Sequence, residues 1–180
     1  MAHLVISSSL NPTSRSRILA RRAKELLEEQ KAAVEFIDLQ DLSLPACDAM
    51  KCYEHPQVRE LSVRISKADG IILAVPIYNY GVGASAKNLV ELTGSAWTRK
   101  PVSFLCSAGG PNSYMAVMGL ANSLMLDFRT YILPRYVYAA ETAFEGDCMV
   151  DTAVLDRLRD LTATLVKFSA VLRTGGLTSE

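Results

Sequence analysis

Short, nearly unbroken apolar runs alternate with longer amphipathic stretches along this chain of 180 residues. The run "HLVIS" at 3–7 predicts a buried strand. Residues 14–30 predict a helix, since Leu19, Ala23, Leu26 and Leu27 recur at i, i+4, i+7 and i+8. "AVEFIDL" at 33–39 predicts a second strand, and the irregular stretch "QDLSLPACDAMKCYEHP", with its two prolines, breaks the pattern. Beyond Pro56 the residues Val58, Leu61 and Ile65 share one helical face, and proline suits a first helical turn. "GIILAVP" at 70–76 is apolar throughout, as a central strand covered on both faces should be.

A helix over 84–94 follows, aligned through Ala86, Leu89, Val90 and Thr93 and closed by Gly94. The pattern then predicts a strand at 101–107 and a helix at 113–126 built on Val117, Leu120, Ala121 and Leu124. A fifth strand falls within 130–139, where Pro134 implies an edge position or a bulge. A long helix over 151–173 carries Val154, Leu158, Leu161, Leu165 and Leu172. No repeat or low-complexity linker interrupts the chain, so residues 1–180 read as a single domain. Five strands alternating with five helices imply an α/β fold with a parallel sheet and right-handed crossovers. Ligands of such sheets bind at the carboxyl ends of the strands. That rule singles out three loops, at 7–14, 76–84 and 107–113.

Composition narrows the function classes. An apolar fraction of 49% with 21% charged residues excludes a wholly disordered chain. Nineteen basic and 19 acidic residues cancel, so neither nucleic acid nor an anionic membrane is the expected partner. The start "MAHLVISSSL" lacks a basic lead and no apolar segment has transmembrane length, so the expected location is the cytoplasm. Cys47, Cys52, Cys106 and Cys148 form no CxxC unit, and His3 and His55 lack metal-ligand spacing, so no metal is expected. Cys47 and Cys52 in "CDAMKC" read either as buried apolar residues or as a regulatory thiol pair.

The three loops are rich in Ser, Gly, Asn and Tyr. In "SSSLNPTSRSRILA" the residues Ser9, Ser14 and Ser16 offer hydroxyls and Arg15 a charge, at a helix start whose amides favour an anion. The other reading is ordinary capping by Thr13 or Ser14. The missing GxGxxG speaks against a dinucleotide fold and for a monophosphate. "PIYNYGVGASAKN" offers the flat faces of Tyr78 and Tyr80, the amide of Asn79, and a backbone opened by Gly81 and Gly83. "SAGGPNS" places Gly109 and Gly110 at a strand tip, unless it is only a turn capped by Asn112 or Ser113.

Together these motifs resemble the flavodoxin-like NAD(P)H-dependent FMN reductases, a family that includes quinone, chromate and azo-dye reductases. The resemblance runs to about Tyr138 and is most specific over "HPQVRELSVRISKADGIILAVPIYNYGVGASAKN". It implies a three-layer flavodoxin-like sandwich with a five-stranded parallel sheet of order 2-1-3-4-5 and a bound FMN. Ser9, Ser14 and Ser16 would hold the FMN phosphate, with Arg15 nearby. Pro76, Ile77, Tyr78, Asn79 and Tyr80 would line the isoalloxazine and ribityl chain, and Ser107, Gly109 and Gly110 the pyrimidine side. The chain departs from the family at Asn11, where an arginine is frequent, at Ser16 for asparagine, at Ile77 for glutamate, and at Gly83-Ala84 for Pro-Gly.

The implied activity is hydride transfer from NADPH or NADH through FMN to a small electron acceptor such as a flavin or quinone. No side chain need act as a general acid or base. A flavodoxin-type electron carrier is the alternative, although such carriers are commonly strongly acidic and this chain is neutral. A flavin-free sensor is a third. The resemblance also implies a homodimer or homotetramer, with the helical region 84–97, including Trp97, at the interface.

Overall fold

A computed structural model describes residues 2–177. The first strand is β1 (Ala2–Ser7), followed by α1 (Arg15–Glu29), β2 (Ala33–Asp38), α2 (Pro56–Lys67) and β3 (Gly70–Tyr78). A short β4 (Gly81–Val82) leads into α3 (Ala84–Thr93), β5 (Pro101–Ala108) and α4 (Met118–Phe128). The pieces β6 (Tyr131–Ile132), β7 (Val137–Ala140), β8 (Phe144–Glu145) and β9 (Cys148–Met149) precede the long α5 (Thr152–Thr174).

β2, β1, β3 and β5 lie side by side, all parallel, with β6 and β7 both paired to the far side of β5. This is the expected order 2-1-3-4-5. Its fifth position is filled by two short strands rather than one, because Pro134 and the left-handed Arg135 (φ 61°) break the edge between them. The antiparallel β4 turns back on β3, and β8 and β9 form a separate hairpin.

The period-2 rule explains the layers. In β3, Ile71, Leu73, Val75 and Ile77 enter one core, while Ile72 and Ala74 enter the other. The first core receives Leu61 and Ile65 from α2, Leu89 and Val90 from α3, and Leu120 and Leu124 from α4. The second receives Leu19, Ala23 and Leu27 from α1 and Leu158 and Leu165 from α5. Helix α5 lies so close to the sheet that a Cβ on Gly70 would sit 2.4 Å from the Ser169 hydroxyl.

Two expectations need correction. The helix expected at 113–126 starts only at Met118, because residues Pro111–Val117 wind as a 3₁₀ turn with Ser113 off helical geometry. Neither Asn112 nor Ser113 stands at a cap: Gly110 precedes the 3₁₀ turn, and Val117 holds the N-cap of α4. Trp97 is fully buried (0% exposed) within its own chain, and its indole N–H donates to Thr93 Oγ1 at 2.8 Å. It therefore packs the core and offers nothing to a neighbouring subunit. No described helix is long and apolar enough to cross a membrane.

At the strands' amino ends His3 is buried, and neither ring nitrogen has a hydrogen-bond partner among the described residues. Burial holds its pKa below the usual 6.5, and the nearby Asp69 offsets part of that. The unfolded chain therefore takes up this proton at higher pH than the folded one. Stability should be complete above the ordinary imidazole range and fall as pH drops through it. His3→Leu should shrink the loss of urea midpoint between about pH 7.5 and about pH 5; an unchanged loss would contradict this.

Candidate functional site

All three loops converge where β1, β3 and β5 end. They line one cavity of about 340 Å³, whose walls include Ser14, Arg15, Ser16, Pro76, Ile77, Tyr78, Ser107 and Gly109. That size lies within the ~300–1,000 Å³ usual for small-molecule sites. Asn11, Thr13 and Ala108 also face it. Ser9, Asn79, Tyr80 and Gly110, singled out in the sequence, are not among its lining residues.

The first loop is built around a guanidinium. Arg17, only 4% exposed, donates from Nη1 to the carbonyls of Asn11 (2.7 Å) and Pro12 (2.8 Å) and from Nη2 to that of Ser9 (3.1 Å). Its Nε donates to Asp38 Oδ2, and Nη2 reaches Asp38 Oδ1 at 3.2 Å, so the charge is paired at the end of β2. Ser9 belongs to this scaffold: its buried hydroxyl accepts from the Asn11 amide at 3.2 Å. Asn11 in turn accepts from the Thr13 amide and hydroxyl at 3.0 and 3.1 Å. Ser85, in the first turn of α3, donates to the Ser8 carbonyl and ties the second loop to the first.

Ser14 stands at the N-cap of α1 but does not cap it with its side chain. Its Oγ lies 2.8 Å from Ser16 Oγ instead, and both residues are buried. With no side-chain cap and no acid in the first turn, the amino end of α1 presents a positive dipole and two hydroxyls to the cavity. Arg15 adds a cation at the rim, where it pairs with Glu141. That pair is exposed on both sides and adds little to stability.

The second loop is a hairpin with Ile77 opposite Val82 and Tyr78 opposite Gly81. Its two turn residues, Asn79 and Tyr80, both have positive φ (50° and 58°), the pattern of the tight primed turns that suit twisted strands. Asparagine accepts this conformation readily; tyrosine pays about 1–2 kcal/mol for it. Gly83 packs closely on the strand end, since a Cβ there would lie 3.0 Å from Pro76 Cγ and the ring would have to give by a few tenths of an ångström. The third loop is held from below by Tyr138, whose hydroxyl donates to the Gly110 carbonyl and lies 3.2 Å from Ser113 Oγ. Nothing stands within 4 Å of where a Cβ would project from Gly109 or Gly110, so the loop leaves open space before it. Among the described residues no group of three or more His, Cys, Asp or Glu could hold a metal ion.

Residues 1–145 match the NADPH-dependent FMN reductase family. The chain belongs to that family. An NADPH:quinone oxidoreductase of Arabidopsis thaliana is 28% identical over 180 positions, covering 93% of this chain and 91% of that protein. An NAD(P)H-dependent FAD/FMN reductase of Geobacillus thermodenitrificans is 24% identical over 147 positions, covering 80% of each. Among solved structures, the flavoenzyme NAD(P)H:(acceptor) oxidoreductase FerB of Paracoccus denitrificans superposes with a TM-score of 0.76 at 21% identity, over 94% of this chain and 97% of its own. At that identity the likeness speaks for the flavodoxin-like fold. The chain is an oxidoreductase that uses FMN with NAD(P)H as co-substrate, and the electron-carrier alternative gives way to an enzyme.

Sequence pattern missed Arg17. It sits among five basic residues between Arg15 and Lys24, and only its place on the buried face with Ala20 hinted at burial. Arg17→Met would take the paired cation from the Asp38 carboxylate, which keeps only the Gln40 amide, and would remove the guanidinium from the Ser9, Asn11 and Pro12 carbonyls, of which Asn11 keeps the Ser14 amide. It should cost about 3–5 kcal/mol of folding free energy, read from urea denaturation. A loss below about 1 kcal/mol, the scale of a surface pair, would show that the clamp is not what holds the loop.

Proposed function

We propose that FMN lies in this cavity with its phosphate at the amino end of α1 and its ring system against the second and third loops. One observation carries the proposal: three loops from three separate strands line the same cavity, and its floor is an uncapped helix start. The Ser14 and Ser16 hydroxyls, bonded among the described residues only to each other, suit a phosphate that accepts both protons once that mutual bond is given up. Arg15 supplies charge at the rim. Pro76, Ile77 and Tyr78 offer a flat apolar wall, and Ser107 with the open Gly109 backbone offers polar groups to a ring edge. Held by these residues, FMN would supply the hydride chemistry between nicotinamide and acceptor.

The residues do the positioning. The loops bring no histidine or carboxylate into the cavity lining, so no proton need pass through a side chain. Tyr78 is 55% and Tyr80 71% exposed, which leaves the cavity mouth bordered by aromatic surface. That surface supports stacking of a planar nicotinamide or quinone, and the names of the relatives favour a quinone or a flavin as acceptor. The exposed Tyr80, Tyr114 and Met115 support a homo-oligomer in which a second copy covers them. The four free thiols support a cytoplasmic location.

The test is anaerobic. Protein loaded with FMN should lose its yellow absorbance when NADPH or NADH is added and regain it with a quinone. Ser16→Ala should weaken FMN binding about tenfold, since one hydrogen bond to a charged group is lost. Stable yellow colour with both nicotinamides would refute the reductase assignment, and unchanged FMN affinity in Ser16→Ala would refute the phosphate placement.

A further inference from the structure

Away from the flavin cavity, the segment between β2 and α2 carries two thiols that hydride transfer does not use. Cys47 Sγ and Cys52 Sγ lie 3.9 Å apart. The chain is folded back between them: Ala49 takes a left-handed φ of 57°, and Asp48 Oδ1 accepts from the Met50 and Cys52 amides at 2.9 and 3.0 Å. Those two amides, Cys52 first, hold the Asp48 carboxyl down to about 2, so the brace stays ionised across the physiological range. The other end of the segment is pinned to α3. The Cys47 amide donates to Asn88 Oδ1 at 2.9 Å, and Asn88 Nδ2 donates to the Pro45 carbonyl at 2.9 Å. The thiols are therefore held near one another by bonds that involve neither sulfur.

We propose that Cys47 and Cys52 form a reversible dithiol–disulfide site whose oxidant is hydrogen peroxide or a small organic hydroperoxide. The sulfurs are in van der Waals contact, and a disulfide of about 2.05 Å needs them to close by about 1.9 Å, within reach of a side-chain rotation. Their surroundings divide the roles. Cys47 is half-buried and opens onto a cavity of about 420 Å³ that Lys87, Glu91 and Asp127 also line. The Tyr53 hydroxyl lies 3.8 Å from its sulfur, within hydrogen-bonding reach. Cys52 is buried against Val58 and Leu92, and burial pushes its thiol up, so it stays protonated and is the poorer first nucleophile.

The Cys47 thiolate attacks one peroxide oxygen and the O–O bond breaks. Cys47 becomes a sulfenic acid, and hydroxide leaves, or an alkoxide from an organic hydroperoxide. The Cys52 sulfur then attacks the Cys47 sulfur, the S–O bond breaks, and water departs with the Cys52 proton. With hydrogen peroxide, two thiols and one peroxide give one disulfide and two waters, so two electrons pass from the sulfurs to the peroxide. A thiol reductant reverses the change by exchange. The site needs no FMN and stands independently of the flavin assignment.

Full-length protein carrying Cys148→Ser, which removes the exposed thiol of β9, is treated with stoichiometric hydrogen peroxide, alkylated under denaturing conditions, and mapped by peptide mass. The segment holding Cys47 and Cys52 should be lighter by two hydrogens and resist alkylation until dithiothreitol is added, while Cys106 alkylates normally. In the same background Cys52→Ala should halt the reaction at a Cys47 sulfenic acid that dimedone traps, with the far-UV circular dichroism unchanged. Free alkylation of both thiols after peroxide, a disulfide between copies, or a Cys47 sulfinic acid beside a free Cys52 would overturn the proposal. So would dimedone labelling equal with and without Cys52.

Discussion

The site depends on one buried ion pair. Arg17 spends its guanidinium donors on Asp38 and on three loop carbonyls, and so couples the end of β2, the loop after β1 and the first turn of α1 in one contact. A charge so deeply buried persists only when it is paired and its remaining hydrogens are bonded. Both conditions are met here, and the carbonyls that bend toward Arg17 leave the Ser14 and Ser16 hydroxyls turned to the cavity. If the phosphate binds here as proposed, its site is made before any anion arrives. Preorganisation of this kind lowers the ordering cost of binding.

The other two loops are shaped by different means. A strained two-residue turn at Asn79 and Tyr80 projects exposed rings from the end of β3, and Tyr138 in β7 fixes the carbonyl of Gly110 from beneath. Backbone strain of this kind concentrates where function fixes a local shape. With no histidine or carboxylate in the lining, the surroundings of a flavin bound here as proposed would select and orient while the flavin supplies the chemistry.

Much of this was legible along the chain. The apolar runs of β1, β3 and β5 identified the strands, because buried parallel strands can be apolar on both faces. Their order put the three Ser-, Gly- and Tyr-rich loops on one sheet edge. What could not be read was which polar groups face inward. Ser9 and Ser14 look alike in sequence, yet Ser9 accepts from the Asn11 amide inside the loop while Ser14 lines the cavity. Arg17 looks like its exposed neighbours, since burial of a charge depends on a partner 21 residues away. Trp97 misled for the same reason: whether its ring faces the core or a neighbour is decided by packing, not by its place after α3. The start of α4 was missed because "GGPNSY" carries capping residues that the 3₁₀ turn leaves unused.

If the loop after β1 is a monophosphate cradle, its contribution should be visible by removing the phosphate alone. Riboflavin shares every ring and ribityl contact with FMN and lacks only that group. Titrating the flavin-free protein with each, by quenching of flavin fluorescence, isolates the term. FMN should bind at least about 100-fold more tightly than riboflavin, the ratio that about 3 kcal/mol of charge-assisted hydrogen bonding gives. Equal affinities would mean that the buried clamp, the paired serines and the uncapped helix hold something other than the phosphate of a flavin.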